Sequence, residues 1–267
     1  MTTLRHRDVS LAATTPPPAP AILGRIGALR VRLAKSDADV EAAQRLRFDV
    51  FHRPRGLTGE HDADRFDDLC DHLLVESDGE VVATYRLLPG ERVKPDEFYT
   101  ANEFDIAPLV RRHASCRFLE LGRSCVAPAW RNRRTMELLW HGTWAYVVER
   151  GHDVLFGCAS LPGADPQAHA PSLAFLRAHA RAVLDWRVRA VDGRGVSMEG
   201  VPDARALRSL PPLLKGYLRL GAEVGEEAIV DADFGTVDVL VLLRRARISQ
   251  RYIAHYGADA SRFASQG

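Results

Sequence analysis

The chain has 267 residues, 46% hydrophobic and 27% charged, which is the composition of an ordinary globular protein able to bury a core. Its 36 Lys+Arg and 35 Asp+Glu leave a formal charge of +1, so there is no global field to draw in nucleic acid and any basic site is local. All the basic residues except Lys35, Lys94 and Lys215 are arginine, whose guanidinium suits bidentate contacts to phosphate or carboxylate, although a GC-rich genome also accounts for the excess.

Cys70, Cys116, Cys125 and Cys158 form no CxxC pair and no zinc spacing with histidine, so they read as free thiols in a reducing cytoplasm and no metal is expected. No run of about 18 apolar residues is present to span a bilayer. The Pro/Ala/Thr-rich start has no hydrophobic signal region, and residues 1–25 are expected to be a disordered leader. Residues 26–267 then form a single domain.

From Leu29, LRVRLAKS alternates as a half-buried strand. Ser36 or Asp37 caps a helix with Val40, Ala43, Leu46, Val50 and Phe51 on its apolar stripe, and Pro54 and Gly56 break it. An acid-rich segment with Asp62, Asp64, Asp67, Asp68 and Asp71 precedes two strands, HLLVES and EVVATYRLL, joined by a hairpin turn at Asp78-Gly79. FYTANEFDI reads as a short helix leading to Pro108. Arg117 to Val126 is a strand, followed by an arginine-rich turn and a helix closed by Gly151. DVLFGCAS is an all-apolar interior strand, so strand, turn, helix and strand make a βαβ unit. PSLAFLRAHARAVL and LPPLLKGYLRLG are helices, and AEVGEEAIVD and TVDVLVLLR are the last strands. The fold class is therefore α/β, a mixed sheet with one parallel pair at its middle and a ligand expected where those strands diverge.

Charged residues inside a core strand point to function, and Glu120 and Arg123 are such a pair. Three residues apart, they share a cleft only if a bulge at Gly122 breaks the alternation. The aspartates upstream suit a cationic amine, and one of them is also a candidate proton acceptor. Arg131, Arg133 and Arg134 stand at a helix N-terminus, where the dipole disfavours cations, so they point outward to an anionic partner. Arg86 and Arg47 are further candidates for a carboxylate contact. The histidines make no ligand spacing, and Ser124 lacks the glycines of a nucleophile elbow.

RFDVFHRPRG, DADRFDD, YRLLPG, FYTANEFDI and LELGRSCV resemble the half shared by acyl-homoserine-lactone synthases and ornithine N-acyltransferases of the GNAT superfamily. LFGCASLPGADP, LPPLLKGYLRLGAEVG and DADFGTVDVLVLL resemble the ornithine N-acyltransferases alone. The lactone-synthase likeness stops at mid-chain, and the aromatic residue usual there before the acids is Leu57. The resemblance implies a GNAT-like, mostly antiparallel sheet flanked by helices and splayed at its parallel pair. It also implies transfer of a 3-hydroxy fatty acyl group to the α-amine of L-ornithine in the biosynthesis of ornithine lipid. It carries site roles onto Arg47, Asp64, Asp67, Arg86, Glu120 and Arg123.

The glycine-rich pyrophosphate turn of acetyl-CoA-dependent relatives reads here Arg131-Asn132-Arg133-Arg134-Thr135-Met136, with no glycine. The expected donor is therefore acyl carrier protein, bearing the acyl thioester on 4'-phosphopantetheine and docked by Arg131, Arg133 and Arg134, with no bound cofactor. Glu120 is expected to accept the proton, with Asp67 also catalytic. Backbone N–H groups around Ser124 to Val126 support the oxyanion, Asp62, Asp64 and Asp67 hold amines, Arg86 and Arg123 position carboxylate or buttress the acids, and Arg47 is a further carboxylate contact. Lactone synthesis and a non-catalytic acyl-carrier or lipid-binding module are the alternatives. A cytoplasmic location is expected, with peripheral contact at the inner membrane left open.

Overall fold

The computed structural model describes residues 22–249 and 252–253. The leader expected through residue 25 lies outside the described residues as far as residue 21. Its last residues do not belong to it, because β1 (Gly24–Ile26) already pairs with β2 (Leu29–Leu33).

Ser36 caps α1 (Asp37–Phe51), its side chain accepting from the Asp39 amide as the cap preference predicts. β3 (Asp71–Ser77) and β4 (Glu80–Pro89) follow, and Asp78 and Gly79 both have positive φ, at 51° and 90°, as a type I′ turn requires. FYTANEFDI is not one helix. It opens with a 3₁₀ turn over Tyr99–Asn102, and α2 (Ala107–Arg112) starts beyond it with Pro108 inside its first turn.

β5 (Phe118–Val126), α3 (Arg133–Arg150) and β6 (Val154–Pro162) form the expected βαβ unit, with Gly151 in the left-handed conformation closing α3. α4 (Ala170–Ala180) stops short of Val183 because Arg181 turns extended and pairs with Glu226 at 2.6 Å. β7 (Val196–Ser197), α5 (Ala206–Ser209), α6 (Pro212–Leu220), β8 (Glu223–Asp231) and β9 (Thr236–Arg244) complete the fold.

The strands form one sheet in the order β1-β2-β3-β4-β5-β6-β9-β8-β7, antiparallel everywhere except β5–β6. Side chains alternate across it. Leu119, Leu121, Leu155, Val239 and Val241 enter one core, whereas Phe118, Phe156, Leu240 and Leu242 enter the other, and Glu120 shares the second face by parity. α3 covers β2 and β3, while α1 packs on β4 and β5. The face α1 buries is not the stripe expected from hydrophobicity. Its buried residues are Ala43, Arg47 and Phe48, because a charged network beneath the helix anchors Arg47.

The parallel pairing runs only from Phe118/Val154 to Glu120/Phe156. Beyond it a Cβ on Gly157 would lie 2.2 Å from the Leu121 carbonyl oxygen, so only glycine allows the two backbones to pass before they part. On its other side β5 is bulged, with Cys125 opposite Thr84 and Gly122 opposite Arg86, so that Arg123 and Ser124 both face Tyr85. The alternation breaks one residue later than expected, at Arg123 with φ +52°, and not at Gly122.

Candidate active site

The splay and the bulge leave a cavity of about 250 Å³ that passes between the diverging strands. Tyr85, Leu121, Leu213 and Tyr217 line its apolar side, and Arg86, Glu120, Arg123, Ser124, Cys158 and Asp238 its polar side. Tyr99, Thr100 and Phe234 close the polar end. The Tyr85 and Tyr217 hydroxyls share a short hydrogen bond across the cavity.

Glu120 is 3% exposed, and its carboxylate accepts the Tyr99 amide at 3.0 Å and the Thr100 amide at 2.6 Å. Burial raises its pKa, against the two amides and the more distant Arg86, which favour the anion. A carboxyl held in this balance, with lone pairs facing a cavity, can accept a proton from a bound amine. Glu120 and Arg123 therefore share one cleft, as expected.

The aspartates take a different place. Asp67 receives Arg47 Nη1 at 2.8 Å and Nη2 at 2.9 Å, Arg86 Nη1 at 3.2 Å and the Gln44 amide at 3.0 Å. Asp62 is 2.9 Å from Arg47 Nε and 3.1 Å from both His52 Nε2 and Arg123 Nε. Asp64 pairs with Arg86 at 2.7 Å and Arg123 at 3.3 Å. Three arginines and three aspartates thus close a neutral, largely buried network. Despite burial, Arg47 holds the Asp67 carboxyl well below the usual range, so Asp67 is a permanent anion.

None of these three acids lines the cavity, and neither does Arg47, which is wholly buried. The amine site expected at Asp62, Asp64 and Asp67, the catalytic Asp67 and the substrate-contacting Arg47 thus lie together in this network behind the cavity. These groups orient the two arginines that do reach the cavity. Arg123 is stacked between the Tyr99 ring at 4.8 Å and the Phe234 ring at 4.6 Å. Arg86 uses only Nη1 for its acids, and its Nε and Nη2 make no hydrogen bond among the described residues.

Ser124 lines the cavity from the bulge. Val126 does not, being buried and in register with Ala83 on β4. At the α3 N-terminus Asn132 caps the helix by accepting the Thr135 amide at 3.1 Å. Arg131 donates to the Val126 carbonyl at 3.2 Å, Arg133 pairs with Glu137 at 2.8 Å, and Arg134 is exposed. These three stand outside the cavity.

The residues that sequence reasoning passed over are Tyr99, Thr100, Glu103, Cys158, Phe234 and Asp238. One signal was present, since Asp238 is a lone acid inside the otherwise apolar strand TVDVLVLL. No helix among the described residues is long and apolar enough to cross a membrane.

Residues 46–141 match the acetyltransferase (GNAT) domain family, a span that contains the acid–arginine network, Glu120 and the start of α3. The chain is 50% identical to an L-ornithine N(alpha)-acyltransferase of Brucella abortus (strain 2308), over 91% of this chain and 93% of the relative. It is 46% identical to an enzyme of the same name from Rhizobium meliloti (strain 1021), over 93% and 90%. Among solved structures, the AHL synthase LasI is 14% identical, with a TM-score of 0.49 over 86% of this chain and 95% of that one. With identity at this level across nine-tenths of both sequences, the chain belongs to the L-ornithine N(alpha)-acyltransferase family and is an N-acyltransferase of GNAT-like fold.

Proposed function

We propose that this enzyme, organised as a single domain, transfers a 3-hydroxy fatty acyl group from acyl carrier protein to the α-amine of L-ornithine. The observation that carries the reading is the cavity itself, which runs from an apolar side to a polar side past the buried Glu120 carboxyl, whose pKa burial raises. An acyl thioester enters along Tyr85, Leu121 and Tyr217, and the amino acid along Arg86, Glu120 and Arg123. Arg86 Nε and Nη2 hold the acceptor carboxylate. Glu120 takes the proton from the α-nitrogen as that nitrogen attacks the thioester carbonyl, and the carrier thiol leaves.

A bulge opposes two residues to one and leaves a backbone group unpaired, so an N–H at Arg123 or Ser124 is available to the oxyanion. The names of the curated relatives support ornithine as acceptor. The side-chain cap on α3, together with the lack of glycine in the turn, supports a carrier protein over a free nucleotide as donor. The turn offers guanidiniums to an acidic protein and no backbone cradle to a pyrophosphate.

Purified enzyme supplied with 3-hydroxyacyl carrier protein and ornithine is expected to release free carrier thiol. Glu120→Gln keeps the shape of the side chain and is expected to lower kcat by about 10²–10⁴-fold with the fold intact. Thiol release that depends on S-adenosylmethionine and not on ornithine would overturn the acceptor, and release only from acyl-CoA would overturn the donor.

A further inference from the structure

Asp238 and Cys158 line the cavity wall, and with Glu103 behind them they form a second acid group that the transfer chemistry does not use. Asp238 projects from the middle of β9 and accepts Thr236 Oγ1 on Oδ1 at 2.7 Å and Ser160 Oγ on Oδ2 at 3.1 Å. Glu103, just past the 3₁₀ turn, is 7% exposed, and its Oε2 has no hydrogen-bond partner among the described residues. A ligand atom from each of Glu103, Cys158 and Asp238 lies within 4.8 Å of the others. Burial, then the neighbouring Asp238, pushes Glu103 up to about 7, and burial pushes Asp238 up to about 6.

We propose that Glu103 and Asp238 form the subsite for a side-chain ammonium on the amino-acid acceptor, making the enzyme selective for a short diamino acid over its uncharged analogue. Two buried carboxyls without a direct ion pair are costly, and a cation supplied by the substrate lowers that cost. An ammonium brings three donors. One meets an Asp238 oxygen at the cavity wall, and the buried Glu103 carboxyl behind it, whose Oε2 is unpartnered among the described residues, adds its charge. Charges already near the site help only at a distance. Asp231 repels both carboxyls, while Arg194, engaged with the Asn102 carbonyl at 3.1 Å, favours ionised Glu103. Arg123, paired with Asp62 and Asp64, favours ionised Asp238, but among the described residues neither arginine forms an ion pair with Glu103 or Asp238.

The spacing agrees. Thr100 donates its amide to Glu120 and receives the Cys158 thiol on its hydroxyl at 3.8 Å, so the proton acceptor and the acid group are one residue apart. A three-methylene side chain spans roughly 5 Å between its α-carbon and its terminal nitrogen. The α-nitrogen can then face Glu120 while the far nitrogen reaches Asp238, with Glu103 behind it. This rests on the acceptor reading above and is independent of the donor.

The test is equilibrium binding by calorimetry, without acyl donor, of ornithine and of norvaline, the same skeleton lacking the side-chain amine. Wild type is expected to prefer ornithine by about 100-fold, and Glu103→Gln and Asp238→Asn are each expected to cut that ratio by roughly 10- to 100-fold. Melting curves establish that each variant is folded, and either variant alone suffices. A preference for ornithine that persists in a folded variant overturns the proposal. So does stoichiometric zinc bound by the wild type and lost in the variants, because the cluster would then be a metal site. No thiol release from acyl carrier protein would sink the donor and leave this test standing, whereas a wild type that fails to bind ornithine sinks the acceptor reading with it.

Discussion

Two groups of buried acids lie on either side of Arg123, and they are built in opposite ways. Asp62, Asp64 and Asp67 are saturated by Arg47, Arg86 and Arg123, and burial there is offset by paired charge. Glu103 and Asp238 have hydroxyls, a thiol and one another, and burial there pushes the proton on. The first arrangement holds side chains in place and leaves no carboxylate free for a ligand. The second has only the distant pull of Arg194 and Arg123, and it presents Asp238 at the wall of the cavity with Glu103 behind it. Acid content alone does not mark a binding site; what matters is whether the protein has already supplied the counter-ion.

Removing one member of the saturated group gives the largest expected effect. Asp67→Ala strands Arg47, which has 0% exposure, and is expected to cost about 3–5 kcal/mol of stability in chemical denaturation. Replacing Arg47 and Asp67 together with apolar residues of similar volume should recover most of that loss. Asp67 titrates far below neutrality, so its contribution is present above the usual carboxylate pKa, and the loss should be equal at pH 5 and pH 8. A change of under about 1 kcal/mol would show that Asp62 alone holds Arg47, and the contrast between the two groups would lose its basis.

The unsaturated group should respond with the opposite sign. The folded-state pKa of Glu103 lies above its ordinary value, so the folded form holds its proton more tightly. The penalty is absent below about pH 4 and complete above about pH 7. Glu103→Gln removes that penalty and is expected to stabilise the ligand-free enzyme by about 1–3 kcal/mol at pH 8 and by little at pH 5. Asp238, Asp231, Cys158 and Arg194 act on the same carboxyl, and their charges are unchanged in the variant. Melting at the two pH values decides. A variant less stable at pH 8 than wild type would mean that Glu103 already has its cation.

The same contrast explains what could be read from the sequence. The βαβ unit, the Asp78-Gly79 hairpin and the shared cleft of Glu120 and Arg123 follow from local periodicity, turn chemistry and strand alternation. The aspartates near residue 64 are conspicuous because they are contiguous, and that same closeness lets three arginines saturate them. Nothing local shows that Arg86 and Arg47 converge on Asp67 from different elements, since that pairing is tertiary. Glu103, Cys158 and Asp238 come from three distant segments, and only the folded sheet brings them together. The bulge was displaced by one residue because Arg123, held between two rings and two acids, accepts the left-handed backbone that glycine would adopt more cheaply.

Exposed guanidiniums extend the comparison to charge that is not buried, and they give the smallest expected effect. The Arg133 side chain is 81% exposed, and Arg134 is exposed beside it at the start of α3. A contact from either to an acidic carrier is made in high dielectric and is worth about 0.2–1 kcal/mol. Arg133→Ala with Arg134→Ala is therefore expected to raise KM for acyl carrier protein by roughly 3- to 10-fold at low salt. The difference should fade toward 1 M salt, where the Debye length falls to about 3 Å. Asp67→Ala, by contrast, should be insensitive to salt because its partners are out of reach of the ions. A KM for the carrier that is unmoved at every ionic strength would place docking elsewhere and leave these arginines as solvated surface.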